Sequence, residues 1–358
     1  MIIDQLTAIP SPQGTDELPI ERGTLTYKIT YDDLVGDAIG DVSTLSGFTA
    51  TDLTGAANEL KTDVTGVSQN VATLVRPNLL DNWYFVGGGS QQGGGQFPIN
   101  QRGQTNYIGR AMTIDRFLVE SAGTATVYPG YVEFTDTAIQ FISLAQLKDL
   151  KGKTVTLSAL QYYNGQNYLK SATGVVNEYT TDTEVYVSLE GGASVSFHIF
   201  ANAQSYQGCR IFGGTNGVHL LAVKLEIGDT QTLAHQENGV WVLNEIPNYQ
   251  QELAKCQRYF IGFNDSNNYH WVAFGTMATT TDAIVVMPTP VSMRTTPTVE
   301  FNDVNVQGDT TIWIPVTGIN IQSVNVNGVA LLCTINGTYT AGSAVSLAAK
   351  KIYLSADL

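Results

Sequence analysis

The chain has 358 residues, a formal net charge of −14 and only 14% charged residues, which leaves room for two or three domains. An acidic balance without a Lys/Arg cluster excludes a nucleic-acid partner, because phosphate binding needs grouped cations, and no apolar run approaches the ~18 residues needed for membrane insertion. Abundant Gly, Ser, Thr, Asn and Gln instead is the make-up of extracellular β-structure rather than of a cytosolic enzyme.

Residues 1–10 carry no basic region, apolar core or cleavage site, so a protein working outside the cell is expected to leave by another route, such as lysis. Residues 1–22, with Pro10, Pro12, Gly14 and Pro19, have too little apolar material for a core and are expected to lie extended on something else. Gly23–Tyr31 alternates, with Leu25, Tyr27, Ile29 and Tyr31 on one face, and predicts a half-buried strand. Asp32 or Asp33 can then cap a short helix carrying Leu34, Val35, Ala38 and Ile39. So small a unit, residues 1–40, is expected to dock onto a larger assembly.

Residues 41–76 hold a stalk. Leu53, Ala57, Leu60, Val64, Val67, Val71 and Leu74 recur in alternating four- and three-residue steps, the seam of a parallel coiled coil. At ~1.5 Å per residue the helix is a rod of roughly 33 Å. Its apolar face is narrow, and Gly55 and Gly66 weaken it as a lone helix, so it needs partners. The mix of β-branched and Leu core positions leans towards two strands. Arg76-Pro77 ends it.

Residues 77–245 read as short strands separated by turns, among them Ala125–Tyr128, Tyr131–Phe134, Val155–Leu160, Thr183–Leu189, Val195–Phe200, His219–Glu226 and Val240–Leu243. That pattern predicts a β-sandwich of jelly-roll form. The run Gly87–Gly95 lacks dinucleotide-fingerprint spacing and reads as a loop between two strands. A helix at Pro247–Tyr259 leads into a second β unit, residues 246–358, with strands at Trp271–Phe274, Ala283–Met287, Thr298–Phe301, Ile312–Ile314, Ile319–Val324 and Ile352–Leu354, expected as a second β-sandwich. Asn327-Gly328 and Asn336-Gly337 are tight-hairpin signals. The three cysteines, Cys209, Cys256 and Cys333, are too scattered for a disulfide framework or zinc site and read as buried thiols.

Several stretches resemble the receptor-binding fibres of tailed bacteriophages. Asp52-Leu-Thr-Gly-Ala-Ala-Asn-Glu-Leu60 is similar to the helix start that precedes their coiled coils. Asn78-Leu-Leu-Asp-Asn82, Phe97-Pro-Ile-Asn-Gln-Arg-Gly103 and Thr113-Ile-Asp-Arg-Phe117 resemble the opening of their carbohydrate-binding jelly roll. Leu225–Asp229, Tyr249–Phe260 and Met293–Pro297 look like its last strand, a joining helix and the start of a tip domain. Over roughly residues 50–300 the resemblance implies a homotrimeric virion fibre with an N-terminal attachment segment, residues 1–40, bound to other virion proteins, and a distal surface that recognises bacterial glycans. Tail, baseplate and head attachment all stay open.

No enzymatic chemistry is expected. A glycosidase needs two carboxylates across a cleft, and among Asp115, Glu133, Asp136, Glu178, Asp182, Glu184, Glu226 and Asp229 no pair stands out. His198, His219, His235 and His270 lack metal-ligand spacing, and the apolar surroundings of His198 and His219 predict core histidines. No metal or cofactor is expected; Asn264–Asn268 offers oxygen ligands but lacks the closing Glu of a calcium loop. Sugar binding needs aromatic faces beside amides. Tyr162, Tyr163, Asn164 and Tyr168 supply both in a turn, with one of the adjacent tyrosines expected in the core. Asn268, Tyr269 and Trp271 do the same near the C-terminal unit. Trp83, beside the glycine loop, reads as core. The alternative is a purely structural virion protein, such as a collar, head fibre or baseplate spacer.

Overall fold

The structure, a computed structural model, describes residues 17–22, 25–30, 57–62, 76–87, 97–120, 122–177, 183–199, 208–265, 267–308 and 312–357. It is mainly β, in two compact units, residues 1–74 and 75–358. No helix among the described residues is long and apolar enough to cross a membrane.

In the first unit β1 (Glu17–Arg22) pairs antiparallel with β2 (Leu25–Thr30), from Glu17 opposite Thr30 to Arg22 opposite Leu25. The second strand was expected; the first corrects the view that residues up to 22 lie only on something else. Pro19 is tolerated because an edge strand leaves its missing N–H unused. Residues 57–62 are helical, with Leu60 53% exposed. The expected capped helix at 34–39 and the seam positions Leu53, Val64, Val67, Val71 and Leu74 lie outside the described residues.

The second unit has two apolar cores. The first is wrapped by β3 (Asn106–Ile108), β4 (Ala111–Met112), β5 (Leu118–Val119), β6 (Thr124–Tyr128), β7 (Tyr131–Phe141), β8 (Thr154–Tyr163), β9 (Gln166–Val175), β10 (Thr183–Ser188), β11 (Ser194–Ile199) and β12 (Gly208–Ile227), with helix α1 (Leu144–Leu150) between β7 and β8. The long β12 joins two halves: its start lies between β11 and β7, its end beside β8, which pairs onward with β9. Register shifts around Gly213 and between Leu220 and Ala222 bend it. A Cβ on Gly213 would lie 1.9 Å from the Phe134 carbonyl oxygen, so only glycine fits there. A ribbon of β13 (Ala234–Glu237) and β14 (Val240–Leu243) follows.

Helix α2 (Tyr249–Gln257), N-capped by Asn248, leads to β15 (Phe260–Asn264), β16 (His270–Met277), β17 (Asp282–Pro288), β18 (Thr298–Gln307), β19 (Trp313–Asn325), β20 (Gly328–Ile335) and β21 (Ala344–Ser355). Here the expected second sandwich is corrected. The order β16-β17-β20-β19-β18-β21 returns to β16, so six strands close a barrel, and β15 pairs with the far end of β21. Closure removes the open edges that a sandwich would leave. The segments 312–314 and 319–324, expected as two strands, are one, β19. Its hairpin to β20 turns at Val326-Asn327, and Asn336-Gly337 leads into a longer connection rather than a tight hairpin. Left-handed Asn-Gly turns sit instead at Asn164-Gly165 and Asn238-Gly239. All three cysteines are buried and free, and burial pushes the Cys209 and Cys333 thiols up to about 12.

Candidate functional site

The motifs that open the larger unit turn out to be structural. Asn82, at a left-handed φ of 52°, accepts the Ile99 N–H through Oδ1 and donates Nδ2 to the Ile99 and Asp115 carbonyls. Asn78 similarly ties Leu80 to β12 through Val223 and Leu225. The Arg102 guanidinium lies 3.6 Å above the Phe260 ring, 2.6 Å from the Asp357 carboxylate and 3.4 Å from Asp115, and Arg116 lies 3.4 Å above Tyr259 while bonding Asp81. Two arginines thus clamp the sheet unit to the barrel. Burial pushes the Asp115 carboxyl up to about 7, against the lowering by Arg102 and Gln101. Trp83 is core, as expected.

Of the weighed carboxylates, Glu178 and Asp182 fall outside the described residues, and Asp115 shares Arg102 with Asp357. Glu226 is fully buried against Thr232 and Lys224, and Glu133 pairs with His219. That pair corrects the core assignment of His219, whose side chain is 33% exposed, with Nε2 2.8 Å from Glu133 Oε2.

Asp265 is a turn organiser. It accepts from the His270 ring, the backbone N–H groups of Asn267 and Asn268, and the Asn268 amide, and these bonds, that of His270 first, hold its carboxyl far below the usual range. The turn delivers Tyr269 and Trp271 outward at the start of β16. Trp313, opening β19, meets both, at 5.1 Å from Trp271 with planes 30° apart and 5.3 Å from Tyr269. The Lys350 ammonium lies 5.0 Å from the Tyr269 ring and 3.4 Å from the Asp303 carboxylate. All three rings remain more than a third exposed. Sequence reasoning missed Trp313 and Lys350. Strand alternation was the available signal for Trp313: with Ile314 inward, its neighbour must point out.

The other predicted group is split. Asn164 and Gly165 form the left-handed turn of the β8–β9 hairpin, and alternation sends Tyr162 and Tyr163 to opposite faces. Neither is core, which corrects the expectation for one of them. Tyr163 meets Tyr168 edge-on at 6.5 Å, and Tyr168 donates to Gln166 Oε1. Tyr162 instead stacks 6.0 Å from Tyr131 and 6.5 Å from His219, and Tyr131 stacks 4.4 Å from His219 and meets Tyr128 at 5.0 Å with planes tilted by 35°. Tyr128, Tyr131 and His219 were not predicted. Their convergence depends on strand pairing across β6, β7, β12 and β8. No family model, curated protein or solved structure matches the chain.

Proposed function

We propose that the chain is a virion fibre of a tailed bacteriophage that binds a bacterial-surface carbohydrate and does not cleave it. The observation that supports this most is the exposed Tyr269–Trp271–Trp313 cluster beside the amide-bearing turn at Asn267 and Asn268. Exposed ring faces accept the C–H side of a sugar, and neighbouring amides and hydroxyls serve its hydroxyl groups, without a deep pocket. In this reading residues 1–40 attach to other virion proteins, residues 41–76 form a homotrimeric coiled coil, and residues 77–245 are a jelly-roll version of the sheet unit. Each site is weak, and three copies on one fibre raise avidity by roughly 10²–10⁴. The protein is assembled in the host cytoplasm and acts outside the cell.

A second reading, a structural virion protein without a receptor role, is favoured by a different observation. Phe274, 61% exposed, pairs across strands with exposed Val286, and Ile284 lies beside it. Such an outward apolar strip suits packing against other subunits.

Co-sedimentation of the full chain with bacterial cells and purified wall polysaccharides tests the proposal. Binding is expected, with no new reducing ends and with loss on Trp271→Ala/Trp313→Ala while circular dichroism is unchanged. Release of reducing ends would make the protein an enzyme. No binding to any bacterial surface would leave the structural reading.

A further inference from the structure

One register row crosses six strands of the larger sheet. Asn106 on β3 faces Thr126 on β6, Thr126 faces Glu133 on β7, Glu133 faces His219 on β12, His219 faces Tyr162 on β8, and Tyr162 faces Asn167 on β9. Directly paired residues project to the same side of a sheet, so these side chains form a continuous line. With strands ~4.8 Å apart, its five steps span about 24 Å. The opposite side of β6, β7 and β12 is core: Ala125, Val127, Val132 and Leu220 are buried. Every residue of the line is exposed or half-exposed.

Tyr131, two residues before Glu133, and Tyr128 opposite it add rings to the same side. The planes of Tyr131, Tyr162 and His219 agree within 17°, so the rings form one ordered stack next to the hydroxyl of Thr126 and the carboxylate of Glu133. At one end the Asn167 amide is bonded to the Trp241 carbonyl of the ribbon strand β14. At the other, Asn106 Oδ1 accepts from the Thr126 hydroxyl.

We propose that this row is a second binding site, for an extended, uncharged oligosaccharide several units long lying across the strands. The inference rests on the carbohydrate-binding function proposed above but places a site apart from the barrel cluster. A chain ligand is favoured over a single sugar because hydrogen-bonding groups and rings follow one another along the whole line. An uncharged ligand is favoured because the row holds no Lys or Arg. Its one carboxylate already holds its imidazole partner, and the chain as a whole carries −14, so a polyanion meets repulsion with no cation to receive it.

The test uses the full chain carrying Trp271→Ala/Trp313→Ala, which removes the barrel cluster, and isothermal titration with cellohexaose, maltohexaose and mannohexaose beside polysialic acid and a heparin octasaccharide. Saturable binding of at least one neutral hexasaccharide and neither polyanion is expected, weakened at least tenfold by Tyr131→Ala/Tyr162→Ala. Thr126→Arg, which places a bulky side chain in the line without touching the core, is expected to weaken it similarly. Retained melting temperature shows that each variant is folded. If the starting variant binds nothing while the unsubstituted chain binds, the row is overturned and the carbohydrate-binding function stands. If neither binds, the row is overturned, and the carbohydrate-binding function is decided by co-sedimentation with bacterial cells and wall polysaccharides. Binding restricted to the polyanions, or unchanged by all three substitutions, also overturns the row.

Discussion

Trp271 and Trp313 touch although their strands, β16 and β19, are not neighbours in the barrel. The position between them on β21 is Ala348, which pairs with Trp271 on one side and Asn305 on the other. Leu347 and Ala349 belong to the barrel core, so Ala348 points outward, and yet it is fully buried. A side chain larger than alanine there would crowd the paired Trp271.

Ala348→Leu is therefore expected to part the rings and weaken sugar binding with both tryptophans still present, at an overpacking cost of about 1–3 kcal/mol. Trp271→Ala and Trp313→Ala should each cost at least about 1 kcal/mol of binding. Titration of the three variants beside thermal melts checks this. Full affinity in Ala348→Leu would separate binding from the ring pair.

Asn82 satisfies three buried backbone groups from a left-handed conformation that Asn tolerates better than most residues. Asn82→Ala leaves those groups without partners at about 1–3 kcal/mol each. A loss of roughly 3 kcal/mol or more in urea unfolding is expected, and Asn82→Asp, which removes both donors, should also be strongly destabilising. A change within measurement error would show that water replaces the amide.

Asp115 gives the fold a pH dependence of unusual sign. Its folded-state pKa, about 7, lies above the ordinary carboxylate value of 3.8, so the native state holds a proton that the unfolded chain has released. The stabilisation is fully present below pH about 4 and is lost as pH rises through about 7. Melting temperature should fall across that interval from this group, and Asp115→Asn, a neutral mimic of the protonated acid, should flatten the slope. Parallel profiles for the two proteins would mean that Arg102 keeps Asp115 ionised throughout.

The proposed fibre requires the full chain to be an oligomer: the exposed Leu60 belongs to a heptad seam that other helices are expected to cover. Light scattering is expected to report three copies, with a melting temperature that rises with concentration. Leu60→Asp should lower the mass towards one copy. A stable monomer at micromolar concentration would remove the coiled coil, and two copies would favour the dimer to which the heptads lean.

Local pattern by itself determined much of this protein: the β class, most strand positions, the joining helix and the buried thiols all follow from alternation, capping and composition, which act over a few residues. Tertiary structure alone decided the rest. Barrel closure depends on β21 pairing with both β16 and β18, and strand periodicity is the same in a sandwich and a barrel. His219 sits in an apolar run and read as core, but on β12 its apolar neighbours Val218 and Leu220 take the inner side while it pairs with Glu133, far away in sequence. The Tyr128, Tyr131, Tyr162 and His219 patch exists because register brings four strands into line, and one residue of slip would turn half of it inward. The motifs that suggested a binding domain turned out to hold the two cores together, because buried amides and arginines are positioned by backbone that arrives from elsewhere in the chain.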